Sequence, residues 1–282
     1  MPKIEKDMVN IKEPIKMNIH AKRFKLILEF DGSRYSGWQK QDDTKTIQGS
    51  LLKAATDLLG AQVDVQGSGR TDAGVHALRF TAHLEAQTNS SPEEIRQRLN
   101  ELLPGDIVIL ECKRAGSRFH ARHNCIARSY CYRIARHKMA LGRDYVWQVL
   151  EPLDEKQMQK AASVLVGQHD FTSFTDRQVV KKKSPMVMVT SCQSVATEDL
   201  ILFRIVGSHF LWKMVRRIIG VLVAVGKGEL AVTEVQKFLQ KPVILKQYTA
   251  PAQGLFFERA FYDQEELDTF LVADNMQPGL FR

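Results

Sequence analysis

One carboxylate and one guanidinium group stand two positions apart in a glycine-rich segment of the chain. Residues 67–77 read GSGRTDAGVHA, with Asp72 as their only acid and Arg70 as their only arginine. Glycine permits tight turns and the close approach of another chain. A carboxylate held in such a loop can act as a nucleophile or a base. The segment therefore makes Asp72 the first candidate for chemistry in this sequence.

The flanking residues predict that this loop joins two strands. Residues 63–66 are typical of a short strand, and residues 78–85 alternate between apolar and polar side chains with a period of two. Loops that bind nucleotide phosphates are followed directly by a helix, and the Lys-Ser/Thr pair of a P-loop is absent here. Two interpretations remain: a structural turn capped by Asp72, and a loop that carries a catalytic acid.

The segment resembles the active-site motif of the tRNA pseudouridine synthase A (TruA) family, and further motifs of that family follow along the chain. They lie in family order between residues 24 and 262, at residues 30–32, 37–39, 46–48, 119–122, 128–132, 167–171, 210–216 and 250–255. The resemblance implies an enzyme that isomerises uridine to pseudouridine in tRNA. By default its target is the anticodon stem-loop (positions 38–40 of the tRNA).

The resemblance also implies roles for four residues. Asp72 takes the place of the catalytic aspartate, and Tyr130 that of the active-site tyrosine. Arg70 corresponds to the arginine that helps to extrude the target nucleotide. Arg216 corresponds to the basic residue that pairs with the catalytic carboxylate.

The residue pattern alone leaves two of these assignments open. Tyr132 lies on the same strand face as Tyr130, so only the motif distinguishes the two. Arg216 stands beside Arg217 and close to Lys213, and the three together are equally typical of a solvated helix face.

The implied reaction breaks a C–N glycosidic bond, rotates the freed uracil and rejoins it to the sugar through carbon. This isomerisation requires no redox partner, metal or energy source, so we expect no cofactor and no metal site. A nearby arginine would favour the ionised form of the carboxylate. A uridine within a stem must be flipped out before it can react.

The charge distribution predicts a polyanionic partner. Formal net charge is +8, and residues 113–143 contain nine Lys or Arg and no acid. Phe119, Tyr130 and Tyr132 are interleaved with them. Cations neutralise phosphates and aromatic rings accept unstacked bases, so this pattern favours RNA over a solvated basic face with core aromatics. A second cluster, Arg177 with residues 181–183, fits a solvated loop equally well.

Periodicity predicts an α+β fold with two ferredoxin/RRM-like units. The first has the order strand, helix, strand, strand, helix, strand. The second places a strand at 130–134, a helix from Asp154, a hairpin at 187–206, a helix at 210–222, a short helix near 235–239 and a closing strand at 255–261. The resemblance implies antiparallel sheets that meet around a central cleft. We predict a disordered leader at 1–21, an N-terminal domain at 22–118 that carries the catalytic loop, and a C-terminal domain at 119–282.

Several features bear on location and assembly. No apolar run approaches the roughly 18 residues of a membrane span. The four cysteines lack metal-binding spacing, and we find no secretion signal in the sequence. We therefore expect reduced thiols in a cytoplasmic protein. The resemblance implies a homodimer that binds tRNA.

Two alternative functions stay open. Residues 183–189 and 207–210 depart from the family pattern, which allows a paralogue that acts on a different RNA. The second alternative is a non-catalytic RNA-binding protein with two RRM-like domains. It would need stacking aromatics on central strands of both halves and the K/R-G-F/Y-type run of that module, which we do not find.

Overall fold

A computed structural model describes residues 21–60, 62–181 and 184–273 of the chain. Residues 1–20 of the predicted leader and residues 182–183 of the second basic cluster lie outside these ranges.

The first half has the predicted element order. Its strands and helices are β1 (Lys22–Phe30), α1 (Ile47–Leu59), β2 (Val63–Gly67), β3 (His76–Ala86), α2 (Pro92–Leu102) and β4 (Ile107–Ala115). Helix α2 begins with a capping box, in which the Ser91 side chain accepts from the Glu94 backbone and the Glu94 side chain accepts from the Ser91 backbone. The loop that contains Asp72 connects β2 to β3, as the alternation predicted.

The second half contains more elements than its periodicity indicated. They are β5 (Ala127–Ala135), β6 (Trp147–Gln148), α3 (Glu155–Val164), β7 (Gly167–Asp170), α4 (Arg177–Val180), β8 (Met186–Ala196), β9 (Leu200–Gly207), α5 (Met214–Gly226), α6 (Val232–Gln240), β10 (Leu255–Phe261) and α7 (Gln264–Val272). The predicted hairpin and closing strand are present. Strand β7 and helix α7 are too short and too mixed in polarity for the pattern to reveal them.

Helix α5 begins later than predicted. The apolar spacing placed its start at Phe210, but Lys213 adopts a left-handed backbone with φ 59° and ψ 6°. A residue in that conformation cannot continue a right-handed helix, so α5 starts at Met214. Residues 210–213 therefore form a turn that leads into the helix.

The strands of both halves form one continuous sheet. Its order is β4-β1-β3-β10-β5-β9-β8-β7, with β2 also paired to β3 and β6 to β5. Strand β10 runs antiparallel to β5 and parallel to β3, with Phe257 opposite Ala77. The predicted α+β fold of two antiparallel units is therefore confirmed, and β10 joins the two units edge to edge. The domain boundary at 118/119 falls between β4 and β5 and stays a prediction.

One close backbone approach fixes the position of α5. A Cβ atom built on Gly220 would lie 1.5 Å from the carbonyl oxygen of Tyr248, so only glycine fits there. The segment that follows Tyr248 then runs antiparallel to the first turn of α5, where the Ala250 N–H donates to the Arg216 carbonyl. This contact brings the start of α5 and residues 250–255 together beside the Asp72 loop.

Two further findings concern the whole described part of the chain. All four cysteines are free, as predicted. Within the described ranges, no helix combines the length and the apolar character that crossing a membrane requires.

Candidate active site

The loop that carries Asp72 is held by backbone contacts with the segment after β1. The Trp38 N–H donates to the Thr71 carbonyl, and the Gly74 N–H donates to the Tyr35 carbonyl. Gly37 has φ +95°, and a Cβ there would lie 2.4 Å from the Thr71 carbonyl oxygen. The motif at residues 37–39 therefore has a local physical role, which is to hold the Asp72 loop in position.

Both carboxylate oxygens of Asp72 accept hydrogen bonds, one from the turn before α5 and one from the first turn of the helix. Arg216 Nη1 lies 3.1 Å from Oδ2, and Trp212 Nε1 lies 3.0 Å from Oδ1. Arg216 Nε also donates to the Ala250 carbonyl at 2.8 Å, which fixes the direction of the guanidinium group. The Asp72 side chain remains 22% exposed. The arrangement stabilises a negative charge at the carboxylate and leaves it within reach of a ligand.

The two tyrosines of β5 reach different places. Tyr130 lines the cavity beside Asp72, and its ring packs edge-on against Phe210 and Phe257, with centroid distances of 5.1 and 5.2 Å. The Tyr132 hydroxyl instead donates to the Pro251 carbonyl at 2.8 Å. Burial raises the pKa of both hydroxyls well above the ordinary value. Tertiary structure therefore separates two residues that the strand pattern could not.

Arg128 joins three segments around the site. Its guanidinium group donates twice to the Ser68 carbonyl, at 2.8 and 3.0 Å, and once each to the carbonyls of Ser208 and Arg122, at 2.9 and 3.1 Å. The side chain is buried. The sequence analysis counted Arg128 among nine cations available to phosphates. In the structure its guanidinium group is hydrogen-bonded to backbone carbonyls instead. Arg133 is buried as well, so part of that basic segment is structural.

Arg70 points to solvent at the mouth of the cavity. It is exposed, and it has no hydrogen-bond or ion-pair partner within the described ranges. Arg122 lies close by, and burial lowers the pKa of its guanidinium group, with the charges of Arg70 and Arg128 adding to the effect. Cations grouped in this way attract an anion such as a phosphate.

The cavity around these residues has a volume of about 510 Å³, which is within the ordinary range of ligand sites. Its lining comes from both halves of the chain: the Asp72 loop, Tyr130 on β5, the turn at 209–213 and Arg216 on α5. The segment at 207–210, which departs from the family pattern, thus reaches the site through His209 and Phe210. In the described part of the chain, no three His, Cys, Asp or Glu side chains are grouped so as to hold a metal ion.

Comparison with known proteins shows to which family the chain belongs. The sequence model of a family described as tRNA pseudouridine synthase matches residues 26–124 and 161–263. This chain belongs to the tRNA pseudouridine synthase family. It is accordingly an RNA-modifying isomerase.

Curated relatives extend the match to most of the chain. A protein named tRNA pseudouridine synthase A 2 from Clostridium tetani is 36% identical over 248 residues, covering 86% of this chain and all of the relative. A tRNA pseudouridine synthase A from Zymomonas mobilis is 36% identical over 244 residues, covering 85% of this chain and 99% of the relative. Among solved structures, a Cbf5-Nop10-Gar1 complex aligns over 76% of this chain and 48% of that chain, with 12% identity and a TM-score of 0.37.

The four predicted site residues all lie at the cavity of this synthase. Asp72 and Arg216 are in direct contact, Tyr130 lies behind them, and Arg70 stands at the mouth. Sequence reasoning missed Trp212, which contacts Asp72 directly. The sequence does carry one signal for it, which is its position off the apolar stripe of the predicted helix, directly before Lys213.

Proposed function

We propose that this synthase converts uridine to pseudouridine in the anticodon stem-loop of tRNA, with Asp72 as its catalytic carboxylate. One observation carries the assignment of Asp72. Among the described residues that line the 510 Å³ cavity, it is the only acid. It is also held between an arginine and an indole N–H. Its catalytic role, and those of Tyr130, Arg70 and Arg216, are part of this proposal.

The reaction rearranges bonds within one nucleotide. The bond from C1′ of the ribose to N1 of uracil breaks, the base rotates, and a bond from C1′ to C5 forms. The hydrogen on C5 leaves as a proton, and N1 gains one, so no atom is added or lost. Asp72 acts as a nucleophile or base in this sequence, and Arg216 and Trp212 hold its carboxylate in place.

Tyr130 has two roles in the proposed mechanism, one for its ring and one for its hydroxyl. Its ring forms one wall of the cavity, on which the uracil can stack. Because burial raises the pKa of the hydroxyl, Tyr130 is protonated at neutral pH. It can accept the C5 proton only by passing its own proton on, and Asp72 is the carboxylate of the same cavity. Tyr130 therefore acts as a relay that works after the base has rejoined the sugar.

In the proposed mechanism, Arg70 stabilises the RNA after the target uridine has flipped out of the stem. Flipping a uridine out of a stem costs a few kcal/mol. An exposed cation at the mouth of the cavity can occupy the vacated space and contact the adjacent phosphates. The proposal includes a homodimer, which the family resemblance implies, and a cytoplasmic location, which the cysteine pattern predicted.

The affinity for tRNA is expected to fall by about 100-fold or more between about 50 and 200 mM salt, because several phosphates are neutralised on binding. Filter binding at a series of salt concentrations measures the slope. Replacing the exposed cations Arg118 and Lys138 by glutamine should make the slope shallower. The matched control replaces exposed Lys156 and Lys160 on α3 by glutamine, with the same change in net charge. An affinity that does not change with salt would contradict the phosphate interface.

The target is tested by mapping pseudouridines in total RNA from cells with and without this protein. We expect the loss of sites in tRNA anticodon stem-loops. Loss of sites in another RNA would keep the reaction and support the paralogue alternative. If no pseudouridine is lost and the purified protein forms none in tRNA, the proposed function is wrong.

A further inference from the structure

Among the Trp, Tyr and Phe residues of the described chain, Trp212 is the only one that is exposed to solvent. Nearly half of the residue's surface, 46%, is accessible to solvent. By contrast Trp38 is buried at 1% and Trp147 is partly buried. Because Trp212 also lines the cavity, this accessible aromatic surface is available for contact with a ligand that enters there.

Trp212 is held in place by one contact of its ring and one contact of its backbone. Its Nε1 atom donates to Asp72 Oδ1 at 3.0 Å, and its backbone carbonyl accepts from the Thr175 hydroxyl at 2.9 Å. The next residue, Lys213, is the only non-glycine residue with a positive φ angle in the described ranges. That conformation costs about 1–2 kcal/mol for a residue with a side chain. The fold therefore maintains a strained turn whose effect is to direct the indole at Asp72.

The chemistry around the ring matches a nucleobase. Lys213 Nζ lies 4.1 Å from the centroid of the indole ring, and Arg216 shares the contact with Asp72. A rigid aromatic surface among cations is the arrangement with which proteins hold unstacked bases of single-stranded RNA. The edge that carries Nε1 faces Asp72, so the faces of the ring are turned away from the carboxylate. A base on one of these faces would lie next to the reacting nucleotide without occupying its place.

We propose that Trp212 is a stacking platform for a base of the substrate RNA that flanks the flipped uridine. The inference rests on the proposed function, because it requires an RNA with an extruded nucleotide at Asp72. Tyr130 contacts the target base in the interior of the cavity, and Trp212 contacts its neighbour at the mouth. The hydrogen bond to Asp72 keeps the ring ready before the RNA arrives.

The test compares Trp212→Leu with Trp212→Phe, using an anticodon stem-loop transcript as the probe. Leucine keeps an apolar side chain but removes the aromatic face, and the affinity for the transcript should fall by about 5- to 100-fold. Phenylalanine keeps a ring and loses only the N–H, so most of the affinity should remain. Thermal unfolding of both variants should stay close to the parent protein, because the side chain is exposed.

Intrinsic fluorescence gives a second readout on the intact protein. Binding of the transcript should quench the emission of the parent protein, because a stacked base contacts Trp212. The quenching should be absent in Trp212→Phe, whose remaining tryptophans, Trp38 and Trp147, are buried and partly buried. Together with the affinity series, this signal separates a contact with RNA from a purely structural role.

The outcomes distinguish the inference from the function on which it rests. If Trp212→Leu binds the transcript as tightly as the parent protein, the stacking platform is wrong, while pseudouridine formation by the parent protein in the same preparation leaves the function intact. If Trp212→Phe loses as much affinity as Trp212→Leu, the N–H and not the ring is responsible, and the inference is again wrong. A parent protein that binds the transcript but forms no pseudouridine refutes the function instead.

Discussion

Asp72→Asn is expected to abolish pseudouridine formation while tRNA binding and folding stay nearly unchanged. The amide has almost the size of the carboxylate but is neutral, so it can act neither as a nucleophile nor as a base. It also turns an N–H₂ group toward Arg216 or Trp212, both of which donate to the carboxylate. A loss on the order of 10⁴-fold or more in single-turnover rate is expected for removal of such a group.

The control for this variant is Asp57→Asn. Asp57 is also paired with a cation, Lys53, at 3.2 Å, but it lies on the surface of α1. Its replacement should leave the rate unchanged, since surface ion pairs contribute little. Wild-type turnover by Asp72→Asn would refute the proposed mechanism. A parent protein that binds tRNA and forms no product would favour the non-catalytic RNA-binding alternative.

Tyr130→Phe is expected to retain tRNA affinity and to lose most product formation. The ring, which packs against Phe210 and Phe257, is preserved, so the uracil can still stack. The hydroxyl that relays the C5 proton is missing, and general acid–base groups typically contribute about 10²–10⁴-fold to the rate. Single-turnover rates and tRNA affinity measured side by side separate the two roles.

Tyr132→Phe is the matched control, because it makes the same change two residues away on the same strand. It leaves the Pro251 carbonyl without its donor, which should lower the free energy of unfolding by about 1–2 kcal/mol. Activity below the unfolding temperature should change little. If Tyr132→Phe is inactive and Tyr130→Phe is active, the roles of the two tyrosines must be exchanged.

The parts of the fold that sequence could predict are those with local signals. Glycine spacing and a period of two were enough to place the Asp72 loop between strands, and periodicity gave the element order of the first half. The pairing of β10 with β3 had no such signal, since it joins residues near 77 to residues near 257. Long-range pairing of this kind depends on the packing of the whole chain.

In the candidate site, too, some features had a local signal in the sequence and others depended on tertiary contacts. The identities of Asp72, Tyr130, Arg70 and Arg216 came from motifs, but their contacts did not. Two details were beyond any pattern. The left-handed Lys213 moves Trp212 out of α5 and onto Asp72, and the acceptors of Arg128 come from three separate segments. In both cases the determining contact is tertiary, and neither the hydrophobic period nor the charge count contains it.

Strand β10 has a consequence for how this synthase is made. It lies in the middle of the sheet, between β3 and β5, although it is the last strand of the described chain to leave the ribosome. Until residues 255–261 emerge, residues 76–79 of β3 and 127–132 of β5 lack this partner strand, and such open edges favour pairing with other chains. Bringing β10 beside β3 closes a loop of more than 150 residues, which is a slow step. The cavity draws its walls from both halves, so it cannot form before most of the chain has been synthesised.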